Sequence, residues 1–174
     1  EAWEDDVLAL AGSGQRVLLF AGAADGGLAV VDGEEPALPA GLEPIAMLAF
    51  TDELRPEARA TLDGFRKAGV AVKIISGDNP QTVAALARQA GLGEAGEPLR
   101  LVTGPELAEL GDAAFGAAVA SSDIFGRITP EQKQRIVRTL REQGRYVGMT
   151  GDGVNDVLAL KQANLGIAMQ SGTQ

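Results

Sequence analysis

From about residue 70 onward the sequence alternates between short continuous apolar runs and longer stretches in which apolar positions recur every three or four residues. That alternation predicts parallel strands joined by helical crossovers: a strand covered on both faces reads as an unbroken apolar run, a crossover helix as one apolar stripe. Residues 70–75, Val-Ala-Val-Lys-Ile-Ile, predict a strand, and residues 80–91 a helix entered through Asn79-Pro80 and stopped by glycine. Residues 99–102 predict a shorter strand. Residues 130–143 predict a helix with Ile136, Val137 and Leu140 on one face, capped by Thr129 and with Pro130 at its first position. A strand at 145–149, a helix at 154–163 and a short strand at 165–169 follow. Upstream, residues 56–67 carry Ala58, Leu62 and Phe65 at helical spacing, after a strand at 45–50. The expected fold is α/β, a Rossmann-like parallel sheet with flanking helices.

The first forty or so residues read differently. Residues 16–20 and 28–31 are short β-like runs separated by the turn Ala24-Asp25-Gly26-Gly27 and followed by Glu34-Glu35-Pro36 and Leu38-Pro39. This shift predicts antiparallel strands of a neighbouring domain. The boundary is expected near residues 40–48, dividing the chain into 1–44 and 45–174.

Composition narrows the chemistry. Of 174 residues, 15 are basic and 24 acidic, so the net charge is 15 − 24 = −9 and a broad nucleic-acid-binding surface is not expected. There is no Cys and no His, which removes disulfides, thiolate nucleophiles, imidazole bases and nearly every structural zinc site. Catalysis must then use Asp, Glu, Lys, Arg, Ser or Thr. The longest apolar runs fall far short of the roughly 20 residues of a membrane-spanning helix. A first residue Glu1 and a terminal Ser-Gly-Thr-Gln suggest a piece of something longer.

One local echo carries chemistry. Lys73-Ile-Ile-Ser-Gly-Asp78 and Val147-Gly-Met-Thr-Gly-Asp152 both end an apolar run in a hydroxyl, a glycine and a carboxylate. In parallel α/β sheets ligands bind beyond the carboxyl ends of the strands, where both steps are expected. A hydroxyl and glycine amides near a helix start hold phosphate oxygens, while an adjacent carboxylate repels them unless a divalent cation intervenes. The run Thr150-Gly-Asp-Gly-Val-Asn-Asp156 places two carboxylates four residues apart across a turn into a helix. Mg²⁺ prefers one or two carboxylates completed by water and phosphate oxygens, and this loop offers that set; the plain alternative is a Gly/Asp turn before a capped helix. Lys133, one turn into its helix, could compensate a phosphorylated or metal-bound cluster, or be a solvated surface lysine. Asp52-Glu-Leu-Arg-Pro56 reads equally as an active-site loop or a helix entry. No G-x-x-x-x-G-K-[ST] exists, and Gly151-Asp-Gly153 lacks the third glycine of a dinucleotide fingerprint.

Taken in order, Ser76-Gly-Asp78, Thr129-Pro-Glu-Gln-Lys133 and Thr150-Gly-Asp-Gly-Val-Asn-Asp156 through Gly166-Ile-Ala-Met169 resemble the cytosolic phosphorylation domain of P-type cation-transporting ATPases, of the haloacid-dehalogenase-like superfamily. The match covers about residues 45–174. The style of Asp52-Glu-Leu-Arg-Pro56 and Ile75-Ser-Gly-Asp-Asn-Pro80 is similar to bacterial calcium or other divalent-metal pumps. The resemblance implies that residues 1–44 end the nucleotide-binding domain, that Ser76 and Gly77 contact the phosphoryl group, and that Lys133 neutralises the aspartyl phosphate. It also implies Mg²⁺ on Asp152 with Asp156 and Asn155 orienting it, and ATP near Asp52, Arg55 and Asp78. The partners implied are ATP, the transported metal cation and the rest of the pump chain, with the domain on the cytoplasmic side of the cell membrane and no nucleic acid.

That family forms its aspartyl phosphate on an Asp-Lys-Thr-Gly-Thr motif, and no Asp here is followed by Lys-Thr. Asp52 follows a strand, but Leu54, two residues on, cannot supply the acid/base of a soluble phosphatase. The expected function is the catalytic portion of an ATP-driven cation pump, inactive alone. Two alternatives remain open: a stand-alone phosphatase of the superfamily, or a non-catalytic module that binds phosphate and Mg²⁺.

Overall fold

A computed structural model of the chain describes residues 2–23, 41–51, 53–93, 98–152 and 154–169. It divides into two compact units, Glu1–Glu53 and Leu54–Gln174.

The first unit opens with a helix, α1 (Ala2–Gly12), which the sequence reading did not anticipate. Strand β1 (Arg16–Gly22) then pairs antiparallel with β2 (Glu43–Phe50). The ladder runs from Arg16 opposite Phe50 to Phe20 opposite Ala46, then shifts so that Ala21 faces Pro44. Pro44 has no amide hydrogen to give the ladder, and such a residue is accommodated at a bulge or strand end. The expected strand at 45–50 is therefore present, but it completes this antiparallel ribbon and the unit closes after Glu53, whereas the sequence boundary was placed at 44/45. The expected strand at 28–31, the turn before it and Asp52 lie outside the described residues.

In the second unit, helix α2 (Ala58–Lys67) leads to β3 (Ile74–Ile75) and α3 (Pro80–Gln89). Next come β4 (Leu101–Thr103), α4 (Gly104–Ala108), α5 (Asp112–Ser121) and β5 (Ile124–Gly126). Helix α6 (Pro130–Glu142), β6 (Gly148–Gly151), a 3-10 turn (Val154–Asp156), α7 (Val157–Gln162) and β7 (Leu165–Ala168) complete it. The parallel order is β3-β5-β4, with a second parallel pair β6-β7. The observed class is the expected one, a parallel α/β arrangement flanked by helices with a short antiparallel ribbon before it.

Strand β5 organises this sheet although its three residues were too few to register as a strand in the sequence. All three are buried. Phe125 joins Val102, Leu107, Phe115, Val119, Ile128, Ile136 and Leu140 in the core beneath α4, α5 and α6, while Ile124 packs with Val83, Ala84 and Ala87 of α3. A side chain on Gly126 would lie 2.5 Å from Pro80, so glycine is what lets α3 start directly over the strand. The brevity of β5 also limits β3: residues 70–73 precede its register, and only Ile74 and Ile75 find partners. Similarly β6 begins at Gly148, three residues later than expected; just before it the Val147 amide donates to the Asn164 side chain.

Candidate active site

Three chain segments reach the carboxyl ends of these strands. After β3, the amide of Ser76 donates to the Phe125 carbonyl, and the Ser76 and Asp78 carbonyls accept from the amides of Ile128 and Arg127. The loop bearing the first hydroxyl-Gly-Asp step is thereby tied to the loop leaving β5. Within it the Ser76 hydroxyl accepts from the Asp78 amide at 3.1 Å and donates to the Asp78 carboxylate at 3.3 Å. Ser76 and Asp78 thus form one local turn, with Gly77 between them.

The second segment runs from β5 into α6. Arg127 has φ +52°, the one non-glycine residue in the left-handed region among those described. Such a conformation costs of order 1–3 kcal/mol and persists where surroundings impose it. Here the imposition is visible: the Arg127 amide is held by Asp78, and its carbonyl lies against Gly104, where a Cβ would come within 2.2 Å of that oxygen. Thr129 then caps α6 by accepting from the Gln132 amide, and Gln132 returns the bond from the Thr129 amide to its Oε1. The same Gln132 donates from Nε2 to the Gly104 carbonyl at 2.8 Å. Glu131, fully exposed in the first turn, is held below the ordinary carboxylate range by its own backbone amide and then by the Thr129 hydroxyl.

The third segment follows β6. Asp152 and Asn155 are exposed, whereas Asp156 is buried. A Cβ on Gly151 would fall 2.6–2.8 Å from the Cβ, Cγ and Oδ2 of Asp156, so the glycine lets this carboxylate lie flat on the strand end. Lys133 donates to Asp156 Oδ1 at 2.7 Å, with both side chains nearly buried at 13% and 11% exposure. Two residues singled out from sequence, 23 positions apart, therefore meet as an ion pair. At the other end of the same helix pairing, Arg141 donates to the Gln162 carbonyl at 2.7 Å, tying α6 to the end of α7.

Of the remaining candidates, Arg55 is exposed before α2, and Asp52 and Gly153 lie outside the described residues. The described residues contain no group of three acidic or metal-binding side chains. The loop carries two carboxylates, Asp152 and Asp156, a donor set chemically compatible with Mg²⁺, which fills its remaining positions with water and phosphate oxygens. Gln132 and Gly104 were not singled out from the sequence. The Thr129-x-x-Gln132 spacing was a legible capping box, but its second attachment, to the loop after β4, had no local signal.

The sequence model of the family described as haloacid dehalogenase-like hydrolase matches residues 9–164. The calcium-transporting ATPase CtpE of Mycobacterium tuberculosis is 46% identical over 92% of this chain and 19% of its own length. A probable cation-transporting ATPase, exp7, of Streptococcus pneumoniae is 37% identical over 91% of this chain and 19% of its own. The cation-transporting ATPase pma1 of Synechocystis is 38% identical over 97% of this chain and 18% of its own. The chain thus spans about a fifth of the length of these relatives.

Proposed function

The chain belongs to the haloacid dehalogenase-like hydrolases, and from that premise we propose that it is cytosolic catalytic machinery of an ATP-driven, P-type cation pump. The observation that carries the reading is the Lys133–Asp156 pair, set between the cap of α6 and the glycine-rich end of β6. It combines with the similarity to pumps named for calcium and cation transport. Residues 54–174 form the phosphorylation region on this reading, and the ribbon of residues 16–50 belongs to the end of the nucleotide-binding domain, the two changing over around Asp52. Residues 1–53 carry one basic and eleven acidic residues, net −10, and residues 54–174 fourteen basic and thirteen acidic, net +1.

Phosphoryl transfer is chiefly a problem of positioning and charge stabilisation. Lys133 supplies an ammonium to the incoming phosphoryl group, and Ser76 and Gly77 offer a hydroxyl and a backbone amide to its oxygens. Asp152 and Asp156, oriented with Asn155, hold Mg²⁺, which when bound neutralises phosphate charge. Arg55 and Asp78 serve the nucleotide's ribose and phosphates. The acceptor carboxylate comes from a pump segment outside these 174 residues, since no Asp-Lys-Thr occurs among them. Strands β3 and β6 are both end strands of their sheets among the described residues, which leaves room for a strand carrying that segment. The transported ion is a divalent metal, chosen by membrane helices; no helix of the described residues is long and apolar enough to cross a membrane. The region works on the cytoplasmic face of that membrane.

Incubation of the 174-residue chain with labelled ATP and Mg²⁺, followed by acid quench, should leave no hydroxylamine-labile label. The whole pump should acquire one, and Lys133→Met in the pump should abolish it. Stoichiometric labelling of the chain alone would overturn the reading in favour of a self-sufficient hydrolase.

A further inference from the structure

The Lys133–Asp156 pair does more than place two catalytic residues side by side. Asp156 lies against the backbone of Gly151 on one side and receives the Lys133 ammonium at 2.7 Å on the other. Its charge is thereby already answered, whereas Asp152, four residues earlier, is exposed. A divalent cation approaching this loop meets one available carboxylate and one occupied by an internal cation.

We propose that Lys133 competes with the divalent cation for Asp156, so that the metal loop stays weak until Lys133 is drawn off its partner. This rests on Asp152 and Asp156 being the metal carboxylates. An ammonium beside a carboxylate opposes a second cation there for the same reason that it opposes a proton: both must be accommodated next to a like charge. The anion that draws Lys133 away is a phosphoryl group, whose charge exceeds that of Asp156. Metal affinity and phosphate occupancy are then coupled through one side chain, and by linkage each raises the other by the same factor.

The test is cation binding to the 174-residue chain, with no turnover required. Mn²⁺ titration followed by water-proton relaxation should show weak binding to the wild type. Lys133→Met should bind roughly tenfold more tightly, the size of one neighbouring charge acting on a carboxylate, while Lys133→Arg should restore the weak affinity. Should Lys133→Met fail to fold, the wild type supplies the same information: its Lys133 ammonium signal, seen by nitrogen-15 NMR, should disappear as Mg²⁺ saturates the loop. Amide shifts confined to residues 150–156, with an unchanged Lys133 signal and equal affinities, would overturn the competition while leaving the metal loop in place. Binding that survives Asp152→Asn, or no binding at all, would overturn the metal assignment and the competition with it.

Discussion

The two parallel sheets of the second unit are built alike and buried very differently. In β5, Ile124 and Phe125 are fully inaccessible, one facing α3 and the other α5 and α6. In β7, Leu165 and Ile167 are each 51% exposed. The pairing explains it. Residues side by side in a parallel ladder share a face, so Leu165 and Ile167 align with Gly148 and Thr150, and Met149 and Gly151 with Gly166 and Ala168. Helix α7 covers the second of these faces: a Cβ on Gly166 would be 2.9 Å from the Leu160 carbonyl oxygen. The first is exposed at all four positions. The lesson concerns the site, because its two halves come from these two environments. Lys133 is delivered by a helix whose Ile136, Val137 and Leu140 are anchored in the core, whereas Asp152 hangs from a sheet with an open face. Local stability follows buried apolar contact, so the lysine is held more firmly than the loop it meets.

The sharpest way to break this contrast is to truncate a large apolar side chain in each sheet. Phe125→Ala should lower unfolding free energy by about 3–5 kcal/mol, and Ile167→Ala by about 1 kcal/mol or less, in urea melts of the 174-residue chain. Equal losses would mean that the Leu165 and Ile167 face is covered in solution. Two glycines offer a smaller contrast. Gly104→Ala drives a methyl group into the Arg127 carbonyl and the Gln132 side chain, so it should cost about 1–3 kcal/mol. Gly148→Ala meets nothing within 4 Å and should stay within about 0.5 kcal/mol. A comparable loss at Gly148 would show that β6 is more crowded than its geometry implies.

Acid titration separates the sheets further. Burial raises the Asp123 pKa, but hydrogen bonds from the Arg100 side chain and backbone, the Arg100 charge and that of Lys73 outweigh it and hold Asp123 below its ordinary 3.8. A carboxyl depressed in the folded state contributes stability above its unfolded pKa and loses it as pH falls through the lower folded value. The wild type should therefore lose stability as pH drops below about 3.8, and Asp123→Asn should flatten that limb of the curve. An unflattened limb would show that the Arg100 contacts are lost in water. Asp152→Asn should produce the smallest change: exposed, Asp152 should leave metal-free stability unchanged or raised by a few tenths of a kcal/mol. A clearly lowered midpoint would mark it as a structural turn residue instead.

Local chemistry determined much of this protein in advance. Asn79-Pro80 and Thr129-Pro130 announce helix starts because a capping side chain bonds an amide two or three residues away, an interaction complete within one turn. The amphipathic stripe of α6 and the class of fold were legible for the same reason, and so were Lys133 and Asp156 as candidates. Other elements carried little periodic signal. Helix α5 is alanine-rich, with Phe115 and Val119 as its buried contacts, β5 has only three residues, and α4 rests on a capping box between Thr103 and Glu106. The strand at 45–50 was recognisable, yet its partner was not, since an apolar run states that it will be buried and not against what. Tertiary structure alone decided that β5 is central, that α7 covers one face of β7, that Gln132 is also fastened to Gly104, and that Lys133 rests on Asp156. Each of these depends on groups distant in sequence being brought within a few ångströms, and the energy that brings them together is spread over the whole core instead of residing in either partner.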